Sequence, residues 1–190
     1  MPKVVKEYRE MARNKIIDAA AEVFYYEGLE KANMDDIAKK VGVTKGTLYL
    51  YFKSKEDLLI ETCRITQATL QSVMVSQNNG NIEEQINSFI EKELSLPDHI
   101  KFFWLKMLGE INRNDEIALI LRDEHEKYVK IIRNVLTEIA KHDETLKSKD
   151  LAILSEILVS FHNGIMVSIM QGVDADLAKL IIINGLKTLI

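Results

Sequence analysis

Apolar residues recur at intervals of three and four along almost the whole chain, with polar residues between them. Near the N-terminus, Ile16, Ala20 and Phe24 fall on one face of a helix. The clearest apolar stripe runs from Ile117 to Ile139. No segment shows the strict alternation of a β-strand. We therefore predict an all-α fold of about nine helices.

Capping residues divide the N-terminal third into short helices. Asn33 is a good helix N-cap, and Asp36 follows it at the spacing of a capping box. Gly42 permits a tight turn with positive φ, and Thr44 can cap the next helix. A short helix, a glycine-containing turn and a second short helix form a helix-turn-helix, which we place at about residues 33–52.

In the C-terminal two thirds of the chain, the apolar spacing predicts longer helices. A polar break at residues 77–80 and a proline at position 97 separate the first of them from the rest. The apolar spacing indicates helices at about 55–75, 82–94, 100–111, 117–139, 149–170 and 175–189.

Composition favours a cytoplasmic globular protein. Of 190 residues, 47% are apolar and 28% are charged, and only two are proline. We expect no membrane span, because the apolar runs look too short, and no secretory signal, because the N-terminus lacks an apolar core. The single cysteine, Cys63, excludes an internal disulfide.

The charge is distributed unevenly. Residues 1–55 carry eleven Lys and Arg against eight Asp and Glu, a net +3, and the remainder carries −7, which together give −4. A basic front on an acidic body is compatible with a small DNA-binding module, although ordinary surface charge can produce the same division.

The segment from Thr44 to Lys55 has the chemistry of a helix end that contacts a duplex. Unpaired backbone N–H groups at a helix N-terminus attract phosphate, and Gly46 lets the backbone approach closely. The hydroxyl groups of Thr47 and the two tyrosines can bind phosphates or base edges.

These residues also resemble a known family. The run RNKIIDAAAEVF from Arg13 and the run MDDIAKKVGVTKGTLYLYFKSKEDLL from Met34 resemble the TetR family of transcriptional regulators. The resemblance covers residues 9–69 and implies a TetR-type DNA-binding domain there. It also implies a ligand-binding and dimerisation domain at residues 70–190.

The resemblance assigns DNA contacts by position. It implies a recognition helix in the major groove of a double-stranded, palindromic operator. The lack of Arg, Asn and Gln in that helix favours phosphate contacts and readout of DNA shape. Whether Lys3, Lys6 and Arg9 also reach DNA is left open. The expected contact residues are Thr44, Lys45, Gly46, Thr47, Tyr49, Tyr51 and Lys55.

A ligand pocket is harder to place, because residues of these types more often fill a core than line a pocket. Aromatic and methionine side chains suit an adaptable pocket, and His162 could orient a polar group of the ligand. The candidates are Phe89, Phe103, Trp104, Met107, Phe161, His162, Met166 and Met170.

The residue patterns of the two C-terminal helices predict a homodimer. One carries small residues four apart, and the other is apolar over much of its circumference. The resemblance implies that both pair with their copies, although burial within one subunit is the alternative. The expected interface residues are Ser160, Gly164, Ser168, Leu177, Leu180 and Ile181.

The sequence leaves three candidate functions to compare. The first is a ligand-responsive repressor that a small apolar or amphipathic effector releases from DNA. The second is a DNA-binding regulator or activator without a physiological ligand. The third, an enzyme, is disfavoured because the sequence has no nucleophile–base pair, phosphate-binding loop or metal-ligand spacing. We expect no cofactor and no metal site.

Overall fold

The computed structural model describes residues 3–75 and 82–189, with side chains described for residues 7–72 and 88–189. In this part of the chain the regular elements are all helices, which confirms the predicted all-α class. The predicted polar break at 77–80 lies outside the described residues, as do the side chains of Lys3 and Lys6.

Eleven helices occur within the described ranges. They are α1 (Lys3–Glu27), α2 (Met34–Val41), α3 (Lys45–Tyr49), α4 (Lys55–Val75), α5 (Ile82–Ser95), α6 (Asp98–Lys101), α7 (Phe103–Leu108), α8 (Asp115–Ala140), α9 (Glu144–Lys147), α10 (Leu151–Met170) and α11 (Ala175–Leu189).

The predicted number of about nine helices was too low for two local reasons. The single helix expected at 100–111 is broken at Phe102, whose φ of −109° and ψ of 8° leave the α region and separate α6 from α7. The short α9 was missed because it is a single turn. Asp143 caps it by accepting hydrogen bonds from the backbone N–H groups of Thr145 and Leu146.

The chain divides into two compact units. Unit 1 comprises Met1–Leu70 and Pro97–Ile120, and unit 2 comprises Gln71–Leu96 and Leu121–Ile190. The first boundary falls after Leu70. Residues 97–120 nevertheless belong to the N-terminal unit, which the sequence did not indicate. The assignment of separate functions to the two parts stays a prediction.

The core of unit 1 joins its first three helices. Phe24 of α1, Ile37 of α2 and Leu48 of α3 are completely buried, and Phe52 is 1% exposed. Burial of side chains of this size contributes about 1.5–3 kcal/mol each. This packing fixes the positions of α2 and α3 on α1.

Unit 2 has two apolar clusters. One joins α8, α9 and α10 through Leu136, Leu146 and Leu154. The other joins α5, α10 and α11 through Ile90, Ile165 and Ile182. Helix α10 therefore contributes to both clusters.

Within the described residues, helix α10 has the length and composition of a membrane-spanning helix. The expectation that every apolar run is too short does not hold for this helix. One such helix is weak evidence of a membrane span, because core helices of soluble proteins share these properties.

Candidate nucleic-acid interface and ligand cavity

Local hydrogen bonds set the helix-turn-helix geometry. Asn33 Oδ1 accepts from the backbone N–H groups of Asp35 and Asp36 at 2.9 and 3.0 Å and so caps α2. Gly42 ends α2 with φ of 81°, a left-handed conformation that favours glycine. Thr44 then caps α3, because its Oγ1 accepts from Thr47 N at 3.2 Å. The conformations predicted at Asn33, Gly42 and Thr44 are present.

Helix α3 has a buried face and an exposed face. Leu48 points into the core, whereas Tyr49 is 47% exposed and Leu50 at the helix C-cap is 73% exposed. Thr44 and Gly46 are also exposed at the start of the helix. The outward side of α3 is therefore available for an external contact.

Gly46 is not required by packing inside unit 1. A Cβ atom built on it would meet only Thr44 Oγ1, at the ordinary contact distance of 3.8 Å. Its φ lies outside the left-handed range. The fold of the chain alone would accept a side chain at this position.

Lys45 is paired with an acid of the neighbouring helix. Its Nζ donates to Asp35 Oδ2 at 2.7 Å, and both side chains are about half exposed. The hydrogen bond and the charge of Asp35 raise the pKa of Lys45. The lysine stays fully charged, but a DNA phosphate would have to compete with Asp35 for it.

Lys55 is held by the backbone of unit 1. Its Nζ donates to Leu29 O at 2.7 Å and to Ala32 O at 3.0 Å. These bonds satisfy carbonyl groups between α1 and α2. An ammonium has three donors, so one remains for a phosphate, but sequence reasoning missed the structural role of this residue.

Tyr51 lies beside two arginines of α1. The Arg9 guanidinium is 5.9 Å from the centre of the Tyr51 ring, and Arg9, Arg13 and Tyr51 line one surface groove together with Glu10. Arg13 is additionally bonded to Glu61 at 2.6 Å. Arg9 is thus placed next to a predicted DNA-contact residue by the fold.

Unit 2 contains an apolar cavity of about 110 Å³. Helix α8 contributes the largest share of its wall, with further residues from α5, α10 and α11. The lining residues are Phe89, Ile90, Tyr128, Ile132, Val135, Leu136, Ile139, Leu158, Val159, Phe161, His162, Ile182 and Leu186.

Three of the eight predicted pocket residues line this cavity: Phe89, Phe161 and His162. Met166 is buried and Met170 is 46% exposed, and neither lines it.

The other three predicted pocket residues lie outside unit 2. Phe103 and Met107 are completely buried in unit 1, which also contains Trp104. Sequence spacing could not reveal this, because residues 97–120 return to the N-terminal unit.

His162 forms a buried ion pair at the cavity wall. Its Nε2 donates to Glu93 Oε2 at 2.7 Å, and the two side chains are 19% and 7% exposed. Burial alone lowers the pKa of His162, but the charge and hydrogen bond of Glu93, together with a hydrogen bond to Asn163, outweigh it and raise the pKa. Glu93 was not singled out from the sequence, because its partner lies 69 residues away.

The predicted dimer residues lie on partly exposed faces of α10 and α11. Leu177, Leu180 and Ile181 are 51%, 56% and 37% exposed. Ser160 and Gly164 are exposed, and Ser168 is half-buried. Ile153 and Ile157, which were not predicted, extend the exposed part of α10 at helical spacing.

The sequence of unit 1 matches a known family. The family described as "Bacterial regulatory proteins, tetR family" matches residues 16–62. The fatty acid metabolism regulator protein of Bacillus subtilis is 29% identical over 148 residues, which cover 76% of this chain and 76% of that protein. The AcrR regulator of Shigella flexneri is 31% identical over 70 residues, 37% of this chain and 33% of that protein.

Solved structures share the fold. The fatty acid degradation regulator FadR from Bacillus halodurans superposes with a TM-score of 0.71 at 23% identity, covering 89% of this chain and 91% of that one. A transcriptional regulator from Saccharomonospora viridis in complex with choline gives a TM-score of 0.81 at 19% identity, covering 94% and 96%. At these identities the likeness concerns the fold alone.

Proposed function

We propose that this chain, which belongs to the TetR family of DNA-binding transcription regulators, is a cytoplasmic repressor that a small effector releases from DNA. It would bind a palindromic operator as a homodimer. The effector would be an apolar or amphipathic molecule.

The exposed side of α3 supports the DNA contact. It presents Tyr49 and Gly46 outward, and the fold of unit 1 gives no reason for a glycine at position 46. A close approach by an external partner supplies that reason. The exposed glycine at position 46 is therefore the main support for a DNA contact by α3.

The cavity supports a ligand. A regulator without a small-molecule ligand needs no internal space, whereas unit 2 retains an apolar cavity. Nine of its lining residues are aliphatic, which favours an effector with an aliphatic body. The alternative regulator without a ligand would be favoured by a filled core.

The exposed apolar faces of α10 and α11 support the dimer. Leu177, Leu180 and Ile153 are each more than half exposed although they are large and apolar. Covering such a surface with a second copy gains hydrophobic free energy. A symmetric dimer also explains why a palindromic operator is expected.

The substitution Gly46→Ala tests the DNA role of α3. Alanine should leave the unfolding free energy unchanged or raise it by up to about 1 kcal/mol, because it favours helix. It should weaken binding to a duplex selected from a random pool, measured by electrophoretic mobility shift. Gly109→Ala, on the C-terminal end of α7, is the matched control and should leave DNA binding intact.

Two outcomes would contradict the proposal. Unchanged DNA affinity of the Gly46→Ala protein would show that α3 does not approach DNA closely at this position. Binding of a single wild-type chain to each selected duplex would contradict the proposed homodimer.

A further inference from the structure

One arginine of unit 1 differs from the others in having no carboxylate partner. Three of the four arginines in this unit are paired with carboxylates at 2.6 to 3.4 Å, namely Arg13, Arg64 and Arg113. Within the described residues, the guanidinium of the fourth, Arg9, forms neither an ion pair nor a hydrogen bond. Arg9 is exposed, so its five N–H donors are available to an external acceptor.

The Arg9 guanidinium is nevertheless held against an aromatic ring. It lies 5.9 Å from the centre of the Tyr51 ring, within the roughly 6 Å over which a ring attracts a cation. Tyr51 follows α3 by two residues, and its backbone N–H donates to Leu48 O at 2.9 Å. Because Leu48 is completely buried, this bond ties Tyr51, and with it the head of Arg9, to α3.

The two side chains border an open groove, which we call the Arg9–Tyr51 groove. It is lined by Arg9, Glu10, Arg13 and Tyr51, and its volume of about 330 Å³ leaves room for a phosphate group. Arg13 adds little free charge, because its guanidinium donates to Glu61 at 2.6 Å. Among the groove residues, Arg9 is therefore the cation that can attract an anion, and Glu10 is the charge that opposes it.

A guanidinium suits a phosphate, because its planar fork donates two parallel hydrogen bonds to two phosphate oxygens. A duplex seated on the outward side of α3 would bring its sugar–phosphate backbone to the neighbouring groove. Lys45 would have to leave Asp35 to bind a phosphate. Arg9 can bind one without breaking an ion pair.

We infer that Arg9 binds one phosphate of the operator backbone bidentately, and that Tyr51 positions the guanidinium for this contact by lying beneath it. A phosphate contact fixes the protein on the duplex and carries no sequence information. The inference rests on the proposed function and extends the DNA interface to α1, outside the helix-turn-helix.

Arg9→Ala tests the contact in the full chain. Binding to a duplex selected from a random pool is followed by fluorescence anisotropy at 50 and 200 mM salt. The slope of log K against log salt concentration should fall by about one. The ratio of wild-type to variant affinity should therefore shrink about threefold between the two salt concentrations. Arg133→Ala, at an exposed position of α8 in unit 2, is the matched control and should change neither quantity.

Arg9→Lys separates the geometry of the contact from its charge. Lysine keeps the charge and so the salt slope, but it has no planar fork. The affinity should therefore stay about threefold or more below that of the wild type, the effect of losing one of two parallel hydrogen bonds.

Tyr51 variants test the positioning role. Tyr51→Phe keeps the ring, so Arg9→Ala should cost the same factor in this protein as in the wild type. Tyr51→Ala removes the ring, so Arg9→Ala should then cost less, because the guanidinium is no longer held. Circular dichroism checks that both variants stay folded.

Glu10→Gln provides a change of the opposite sign. The substitution removes the opposing charge from the groove, so affinity should rise at 50 mM salt and the gain should shrink at 200 mM.

The outcomes separate this inference from the proposed function. If the wild-type protein binds its selected duplex but neither Arg9→Ala nor Glu10→Gln alters affinity or salt slope, the groove lies away from DNA. That result overturns the inference and leaves the proposed function standing. Full rescue by Arg9→Lys would overturn the bidentate contact, and equal costs of Arg9→Ala in the Tyr51→Phe and Tyr51→Ala proteins would overturn the role of Tyr51. A wild-type protein that binds no duplex would overturn the proposed function itself.

Discussion

Lys45 and Lys55 each have a partner within unit 1, and the kind of partner separates their roles. Lys45 is bonded to the exposed carboxylate of Asp35, whereas Lys55 is bonded to two backbone carbonyls. An exposed ion pair exchanges readily because it contributes little free energy. Lys45 is therefore the better candidate for a phosphate contact, and Lys55 the better candidate for a structural one.

Lys45→Ala tests the phosphate contact. We expect weaker operator binding and a salt dependence, plotted as log K against log salt concentration, whose slope falls by about one. Helical content should not change, because Lys45 is exposed. Lys130→Ala, at an exposed position of α8, should alter neither quantity.

Asp35→Asn, at the other residue of this ion pair, should change operator affinity in the opposite direction. The substitution frees Lys45 and removes a negative charge close to the proposed contact, so operator affinity should rise at low salt. A slope that is unaffected by Lys45→Ala, together with no gain from Asp35→Asn, would exclude this pair from the interface.

At the scale of the element, the sequence predicted where helices begin and end better than it predicted which helices pack together. Asn33, Gly42 and Thr44 were recognised because capping depends on a few consecutive residues. The break at Phe102 and the location of Phe103 in unit 1 were missed. Those features depend on packing between residues far apart in the chain, which apolar spacing does not encode.

Gly185 of α11 lies directly against the Phe161 ring of α10. A Cβ atom on Gly185 would lie 2.4 Å from Phe161 Cζ and 2.7 Å from Phe161 Cε1. Gly185→Ala should therefore displace the Phe161 ring and lower the unfolding free energy by about 1–3 kcal/mol, measured by urea denaturation.

Gly164→Ala is the matched variant on α10. A Cβ atom there meets nothing within 4 Å in the described residues of one chain. The folded chain should tolerate it, and any loss should appear in dimer affinity instead. Equal destabilisation by the two alanines would contradict the packing role of Gly185.

The buried pair of His162 and Glu93 should make stability depend on pH. The folded-state pKa of His162 is raised, so its contribution is complete below the unfolded value of about 6.5. That contribution is lost as pH rises through the folded value.

Glu93→Gln should abolish this component of the pH dependence in thermal denaturation between pH 6 and 9. Glu156→Gln is the control, because it removes the partner of His125 in an exposed pair of the same kind. A wild-type protein whose stability does not fall above neutral pH would refute the assignment.

At the scale of the whole molecule, the homodimer is the central expectation. The exposed leucines of α11 would be covered by the second copy, and Leu180 is 56% exposed. Leu180→Asp should weaken dimerisation at least tenfold, or about 1.4 kcal/mol, because a charge would enter an apolar interface. Sedimentation equilibrium measures the change.

Leu119→Asp is the control for this substitution. Leu119 is 61% exposed on α8 but belongs to unit 1. It should leave the association state unchanged. A dimer that survives Leu180→Asp would place the interface elsewhere.

The division of the chain constrains how such a protein can acquire a new operator by recombination. Helices α4 and α8 each run from one unit into the other, so crossovers at residue 70 or 120 would cut a helix. A hybrid with a relative would have to inherit residues 1–70 and 97–120 from the same parent. A hybrid that exchanged residues 1–70 alone would combine them with residues 97–120 of the other parent, against which they did not evolve to pack. Such hybrids should often fail to fold.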